Sequence, residues 1–442
     1  MALTTKPVVL IAYTTLYREG GPKFARAAAT LARERAAGRL DAEVVLARVE
    51  SKRDLVDALE AVSAAGQRLV ELHFIGHGGM YGPMFRTRAM PEQFSPHEWR
   101  NLRLPFAPGG EAYFHACRSA RWFAPFFART FGVPASGYHW YTTVSLAPDR
   151  FKWDRFGDPS PSAPLYVIGC KGRKSHGLAG AAAKYAGVAA AEKLKRFLPE
   201  DPKGDPTYDA IAPLYDEVFQ DIGVREDEWN WLAARLPKDG AARVLDLGCG
   251  NGALLMKMAG GIGTGVGLDA SPVMIELARR RAAAHPHLNF AVVREPILPF
   301  ADASFDLVTS LLSFRYLDWD PIMNEIRRVL KPGGRFLVVD MVTTPVRLAE
   351  LPAFARGKIR QLGSTFRHRR FNQALRRLVR DPRWQTMLQY NPIRAEHEFQ
   401  WYLESRFPGQ KVSKLNVGWH ARVLAFDSGP LDPGSVPPQS YP

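Results

Sequence analysis

Cysteine is scarce in this chain. There are three in 442 residues, Cys117, Cys170 and Cys249, with no CxxC pair and no Cys/His cluster. That scarcity argues against a disulfide framework and against structural zinc, so no metal is expected, and a reducing, cytoplasmic setting is. Long apolar runs are missing too. Nothing approaches the roughly 18 consecutive apolar residues of a membrane span, and the alanine-rich LAGAAAKYAGVAAAEKLKRF is broken by Lys184, so no membrane partner is expected. The opening MALTTKPVVLIAYTT carries one lysine and an apolar run that stops at Tyr13; it is too brief for a signal h-region and reads as a first strand. Acidic residues are outnumbered, 44 against 59 Lys and Arg, for a net charge of +15.

What is present is a repeated alternation of short β-rich runs and helical runs. PVVLIAY, AEVVLARV, RLVELHFIG and EAYFHAC alternate with FARAAATLARERAA, DLVDALEAVSAA and RWFAPFFARTF, the pattern of parallel strands with helices on both faces. The length exceeds the usual single-domain range of about 100 to 200 residues. Composition turns rich in Pro, Gly, Asp and Ala before a second alternation begins at YDAIAPLYDEVF. The fold class is therefore α/β in two domains. The expected layout is an α/β domain over 1–170, a connector with an alanine-rich helix over 171–205, a second domain over 206–430 containing a basic helical insertion at 350–395, and a flexible tail over 431–442.

RVLDLGCGNGALLMKMA places an apolar strand, an acidic residue and glycines at 248, 250 and 252 before a helix. Glycines at these positions let the backbone turn sharply and approach a ligand closely. GCGNGA alone also satisfies the nicotinamide dinucleotide fingerprint. Asp246 ahead of the turn favours a cationic amino group over a pyrophosphate, and Asp269, ending VGLDAS nineteen residues after Gly250, is placed to accept two ribose hydroxyls.

With YDAIAPLYDEV, VLDLGCGNG, GLDAS, LPFADASFDLVTSLLSF and EIRRVLKPGGRFLVVDM in that order, the stretch from Tyr208 to about Ser428 resembles the class I S-adenosylmethionine-dependent methyltransferases of the small-molecule type. The resemblance implies a Rossmann-like sheet with a terminal antiparallel strand pair and S-adenosylmethionine as cofactor. It implies that Asp246, Gly248 and Gly250 line the methionine moiety, that Asp269 binds the ribose, and that Tyr208 and Tyr215 lie on a segment closing over the cofactor. Asn251, Ala270 and Ser310 join the cofactor set by the same route. Arg294 stands where the family often has an adenine-binding Asp, and the neighbouring Glu295 is the substitute. On the acceptor side the candidates are Arg315 and Tyr316 in SFRYLDW and Asp340 in LVVDM, either as chemical groups or as residues that pack and pair at the rim.

From Arg356 to Arg383 the insertion holds ten Lys and Arg against one Asp. Three readings stay open: a lid with a basic outer face, recognition of an acidic substrate, or nucleic-acid binding through 356–383.

In the first domain, His77 ends the third strand pattern and Cys117 the fourth, so both reach the same sheet edge, where open α/β sheets bind ligands. A thiol, a histidine and the Gly78 and Cys117 amides as oxyanion donors are the parts of a cysteine peptidase. GHGG at 76–79 and HACRS at 115–119 resemble the caspase-like cysteine peptidase fold, with His115 where the caspase pattern has glutamine and Ser119 where it has glycine. The competing readings are a buried structural cysteine and an inactive scaffold. His139 is a further residue able to line that pocket. The combined expectation is methyl transfer to a small-molecule or peptide-derived acceptor that the first domain binds or processes. The alternatives are a His77/Cys117 peptidase regulated by S-adenosylmethionine, and an RNA or DNA methyltransferase.

Overall fold

The computed structural model describes residues 6–38, 41–152, 163–170, 186, 190–201, 208–238, 240–344, 346–357, 369–391, 393–418 and 421–431. The alanine-rich helix expected in the connector, residues 358–368 of the basic insertion and the tail from 432 lie outside the described residues. The chain divides into two compact units, the first running to Lys203 and the second beginning at Gly204.

In the first unit, Val8–Tyr13 (β1), Glu43–Arg48 (β2), Leu69–Ile75 (β3), Phe106–His115 (β4), Ala135–Gly137 (β5) and Lys195–Phe197 (β6) form one sheet. Their order is β6-β5-β4-β3-β1-β2, all parallel except β6. Val8 to Ala12 are wholly buried because both faces are covered, which is why β1 is a continuous apolar run and does not alternate. Helix Gly21–Ala37 (α1) packs Ala27 and Ala28 against Val9, Ile11 and Ile75. Lys52–Ala64 (α2) and Phe123–Phe131 (α3) cover the other face, where Val8, Leu10 and Phe114 meet Leu55, Phe123 and Phe127. A small antiparallel sheet, Thr142–Ser145 with Tyr166–Cys170 and Ala191–Glu192, adds to the parallel pattern expected from sequence.

In the second unit Arg243–Leu247 (β7), Thr264–Asp269 (β8), Leu288–Val292 (β9), Phe305–Leu311 (β10), Leu330–Thr343 (β11), Ser413–Val417 (β12) and Ala421–Asp427 (β13) lie in the order β9-β8-β7-β10-β11-β13-β12. The first five are parallel, β13 runs antiparallel to β11, and β12 runs antiparallel to β13. The chain leaves β7 toward one edge and returns to β10 on its other side. A crevice is left at the carboxyl end of β7, the switch point where open α/β sheets hold ligands.

Candidate active site

The glycine loop follows β7. Gly248, Gly250 and Gly252 have φ of 72°, 53° and 77°, the left-handed region that side-chain-bearing residues rarely enter. A Cβ on Gly248 would overlap the Ser313 side chain, whose Oγ donates to the Gly248 carbonyl at 2.8 Å. The Gly248 and Cys249 amides donate to the Leu268 carbonyl at 2.7 and 3.0 Å, tying the loop to the end of β8.

A cavity of about 320 Å³ opens at this loop, the size of a small-molecule site. Asp246, Gly248, Gly250, Asn251, Asp269, Ala270 and Glu295 line it, with Arg294 beside Glu295. Tyr208, Tyr215, Phe219 and Tyr316 form an aromatic part of its wall. Asp246 is buried and accepts a hydrogen bond from Thr309 Oγ1 at 2.9 Å. Burial pushes its carboxyl up to about 7; the Thr309 bond opposes that rise and the Asp269 charge adds to it. Asp269 accepts from the Gly250 and Ser271 amides, both at 2.9 Å, and burial again raises it above the usual carboxylate range. Two carboxylates at one cavity, with the Asp269 charge disfavouring ionisation of Asp246, suit a cationic ligand with hydroxyl donors, and a pyrophosphate would meet repulsion there.

Tyr208 OH lies 3.2 Å from Tyr316 OH, and burial raises the Tyr208 phenol well above its ordinary value, so it remains a protonated donor. Behind these rings, helices Ala212–Val218 (α4), Arg369–Arg380 (α5) and Pro382–Tyr390 (α6) share an apolar cluster. Ala374, Leu378 and Met387 are buried in it against Ile211, Val218 and Phe219, with Tyr208, Tyr215 and Trp384 packed alongside.

The remaining singled-out residues stand beside the cavity. The Arg315 guanidinium and the Asp340 carboxylate form a buried ion pair, with the Arg315 amide also donating to Asp340 at 2.7 Å, and neither is among the described lining residues. Ser310 Oγ donates to the Leu247 carbonyl at 2.9 Å, bracing β10 against β7. Several groups escaped the sequence reading. Thr309 and Ser313 carry no motif signal. Asn391 reaches the cavity from far along the chain. Asp216 binds Asn251 Nδ2 at 2.8 Å and Arg281 at 2.6 Å, fastening α4 to the glycine loop. The repeated Asp of YDAIAPLYD was the available clue to that latch.

Residues 245–338 match the family described as "Methyltransferase domain". The second unit carries a methyltransferase domain. A demethylmenaquinone methyltransferase of Thermus thermophilus is 35% identical over 144 residues, 31% of this chain and 66% of that protein. A 2-phytyl-1,4-naphthoquinone methyltransferase of Trichormus variabilis is 33% identical over 146 residues, 30% of this chain and 62% of its own. The chain thus spans about three fifths of the length of the curated relatives it matches. A solved structure described as a SAM dependent methyltransferase from Aquifex aeolicus aligns with 51% of this chain and 99% of its own at 18% identity and a TM-score of 0.33. The residues present fit S-adenosylmethionine, the cofactor that the sequence resemblance implies: Asp246 offers a buried anion to its cationic methionine end, and Asp269 offers a carboxylate to its ribose diol.

In the first unit the structure places His77 just past β3 and Cys117 just past β4, parallel neighbours with Ile75 opposite His115. Gly78 lies against Cys117, since a Cβ there would come within 2.8 Å of the Cys117 carbonyl. His77 Nε2 sits 2.9 Å from the Glu19 carbonyl, and its ring meets Tyr17 and Phe24 edge-on. Cys117 Sγ is 3.2 Å from Thr142 Oγ1 and accepts the Thr142 amide at 3.3 Å. His115 points into the molecule, 3.1 Å from His73 Nδ1, and burial pushes it down to about 3. His139 gives its carbonyl to Arg121 Nε at 2.9 Å.

Proposed function

We propose that the protein transfers the methyl group of S-adenosylmethionine to an apolar, aromatic small molecule with a ring oxygen, of the quinol or phenol type. The observation that carries this is the aromatic wall of the cavity, with the Tyr208 and Tyr316 hydroxyls paired at 3.2 Å. Flat rings stack or meet edge-on against such a wall, and a protonated tyrosine donates to an acceptor oxygen, fixing the ring with one carbon or oxygen toward the methyl. Relatives named for demethylmenaquinone and phytyl-naphthoquinone support the same class.

The bound cofactor supplies an activated methyl on a sulfonium. The chain's own contribution is orientation, which can be worth roughly 7 to 11 kcal/mol. Asp246 balances positive charge, Asp269 holds a sugar diol, and the tyrosine pair anchors the acceptor. The acceptor's electron pair forms the new bond as the S–CH3 bond breaks, its electrons remain on sulfur, and the displaced acceptor proton passes to solvent. A labelled-methyl assay with the full chain tests the reading. Label is expected in a lipophilic quinol or phenol, and Tyr316→Phe should slow transfer roughly tenfold, the value of one hydrogen bond. Label appearing in peptide or nucleic acid instead would overturn it.

A cysteine peptidase reading of the first unit is favoured by one feature: His77 and Cys117 follow the ends of adjacent parallel strands, with Gly78 packed directly against Cys117. We infer a caspase-like scaffold in which Thr142 holds the thiol. Alkylation of Cys117 against pH, in wild type and His77→Ala, decides whether it works as a dyad. Fast reaction near pH 6 that depends on His77 marks an activated thiolate, and slow reaction marks a binding scaffold only.

A further inference from the structure

Helix α5 has two chemically opposite faces. At 100° per residue, Arg369, Arg370, Arg376, Arg377 and Arg380 fall within about a third of the circumference, over a length of roughly 16 Å. All five are exposed, and the helix RRFNQALRRLVR contains no carboxylate. Arg377 pairs with Glu217 across to α4. Arg369, Arg370, Arg376 and Arg380 have no acidic partner among the described residues. The opposite face, with Ala374 and Leu378 buried, holds the aromatic wall of the active site in place.

The inner face is enough to seat the helix. Four unneutralised guanidinium groups side by side repel one another, a cost that a lid alone does not require and that an anionic surface removes. The form of the stripe selects among such surfaces. It is convex, and it carries no aromatic ring on which nucleobases could stack, as single-stranded nucleic-acid sites do. Val379, 43% exposed, lies on its flank, giving the pairing of arginines with an apolar edge that suits a helix lying in a lipid headgroup layer.

We propose that the outer face of α5 docks on an anionic lipid surface, bringing the active site beneath it to an acceptor dissolved in the bilayer. The acceptor part rests on the function proposed above; the docking part does not. Peripheral docking needs no spanning segment, so it replaces the sequence expectation of no membrane partner, which rested only on the lack of a long apolar run.

The test is flotation of the full chain with vesicles of phosphatidylcholine alone or with about one third phosphatidylglycerol. Binding is expected only to the anionic vesicles and is lost in high salt, where surface charge is screened. Arg376→Gln with Arg380→Gln should weaken the partition coefficient about thirtyfold, from roughly 1 kcal/mol per arginine at 1.4 kcal/mol per decade. The control pair Arg48→Gln with Arg150→Gln, exposed in the first unit, should leave it within about twofold. Equal binding to both vesicle types, an unchanged α5 variant, or RNA displacing the protein from anionic vesicles through the same arginines would overturn the docking. A water-soluble, short-tailed acceptor is the second arm. If charge-dependent docking holds but no quinol or phenol is methylated in either phase, docking stands and the acceptor assignment falls. If the soluble acceptor is methylated and docking is charge-independent, the reverse holds.

Discussion

At the scale of single residues, Asp246 joins burial to chemistry. Its carboxyl is raised to about 7 from an ordinary 3.8, yet its ionised form is the one that complements a cation. Affinity for S-adenosylmethionine should therefore rise between about pH 6 and pH 8 and level off above, by up to about tenfold per unit on the acid side. Calorimetric titration across that range checks it. The stability sign is the opposite. A carboxyl raised on folding contributes stability that is fully present below the unfolded value and is lost as pH rises through 7. Asp246→Asn, which keeps an acceptor for Thr309, should accordingly melt higher than wild type at about pH 8 without cofactor, while its cofactor binding becomes weaker and nearly independent of pH. A lower melting temperature together with unchanged pH dependence would contradict the role.

At the scale of elements, the turn Phe314–Tyr316 that follows β10 is joined to β11 by the Arg315–Asp340 pair, both side chains nearly inaccessible. Asp340 also accepts from the Arg315 and Met341 amides, each at 2.7 Å. Arg315→Met leaves that carboxylate buried without its counter-charge and should cost about 3–5 kcal/mol. Arg315→Met with Asp340→Asn removes the stranded charge, retains an oxygen for one of the two amides, and should recover part of the loss. Chemical denaturation of the two variants measures this. A double variant no more stable than the single one would show that the ion pair itself, and not the avoidance of an unpaired charge, holds this turn to β11. The neighbouring Tyr316, whose ring lies under the Arg315 guanidinium at 4.6 Å, takes its direction from this pair.

At the scale of the whole molecule, two units each have a sheet and core of their own, and the cofactor cavity belongs wholly to the second. Scanning calorimetry of the full chain should show two transitions. Only one should move upward with added S-adenosylmethionine, by about 2.7 kcal/mol of stabilisation at a hundredfold excess over Kd. A single transition shifting as a whole would mean that the two units unfold together.

How much of this was legible in the sequence depends on how local the cause is. The methyltransferase sheet was, because its strands are continuous apolar runs, its glycines recur at alternate positions, and Asp246 and Asp269 close two strands at a readable spacing. Period and spacing are properties of the chain itself, and backbone geometry converts them directly into placement. The helical spacing of Leu375 and Leu378 was readable in the same way, though not which surface they would seat on. The partners were not legible. Thr309 beneath Asp246, Ser313 against Gly248, Asp216 latching Asn251, and the pairing of Arg315 with Asp340 join residues 25 to 65 positions apart, and no local pattern encodes such meetings. The same holds for Cys117, whose thiol faces Thr142 from a separate sheet. The sequence by itself determined the α/β class, the cofactor loop and the basic stretch. Only the tertiary structure decided which carboxylates face the cavity, which are spent on ion pairs, and which face of the arginine helix is left to solvent, because burial and pairing arise when distant segments close on one another.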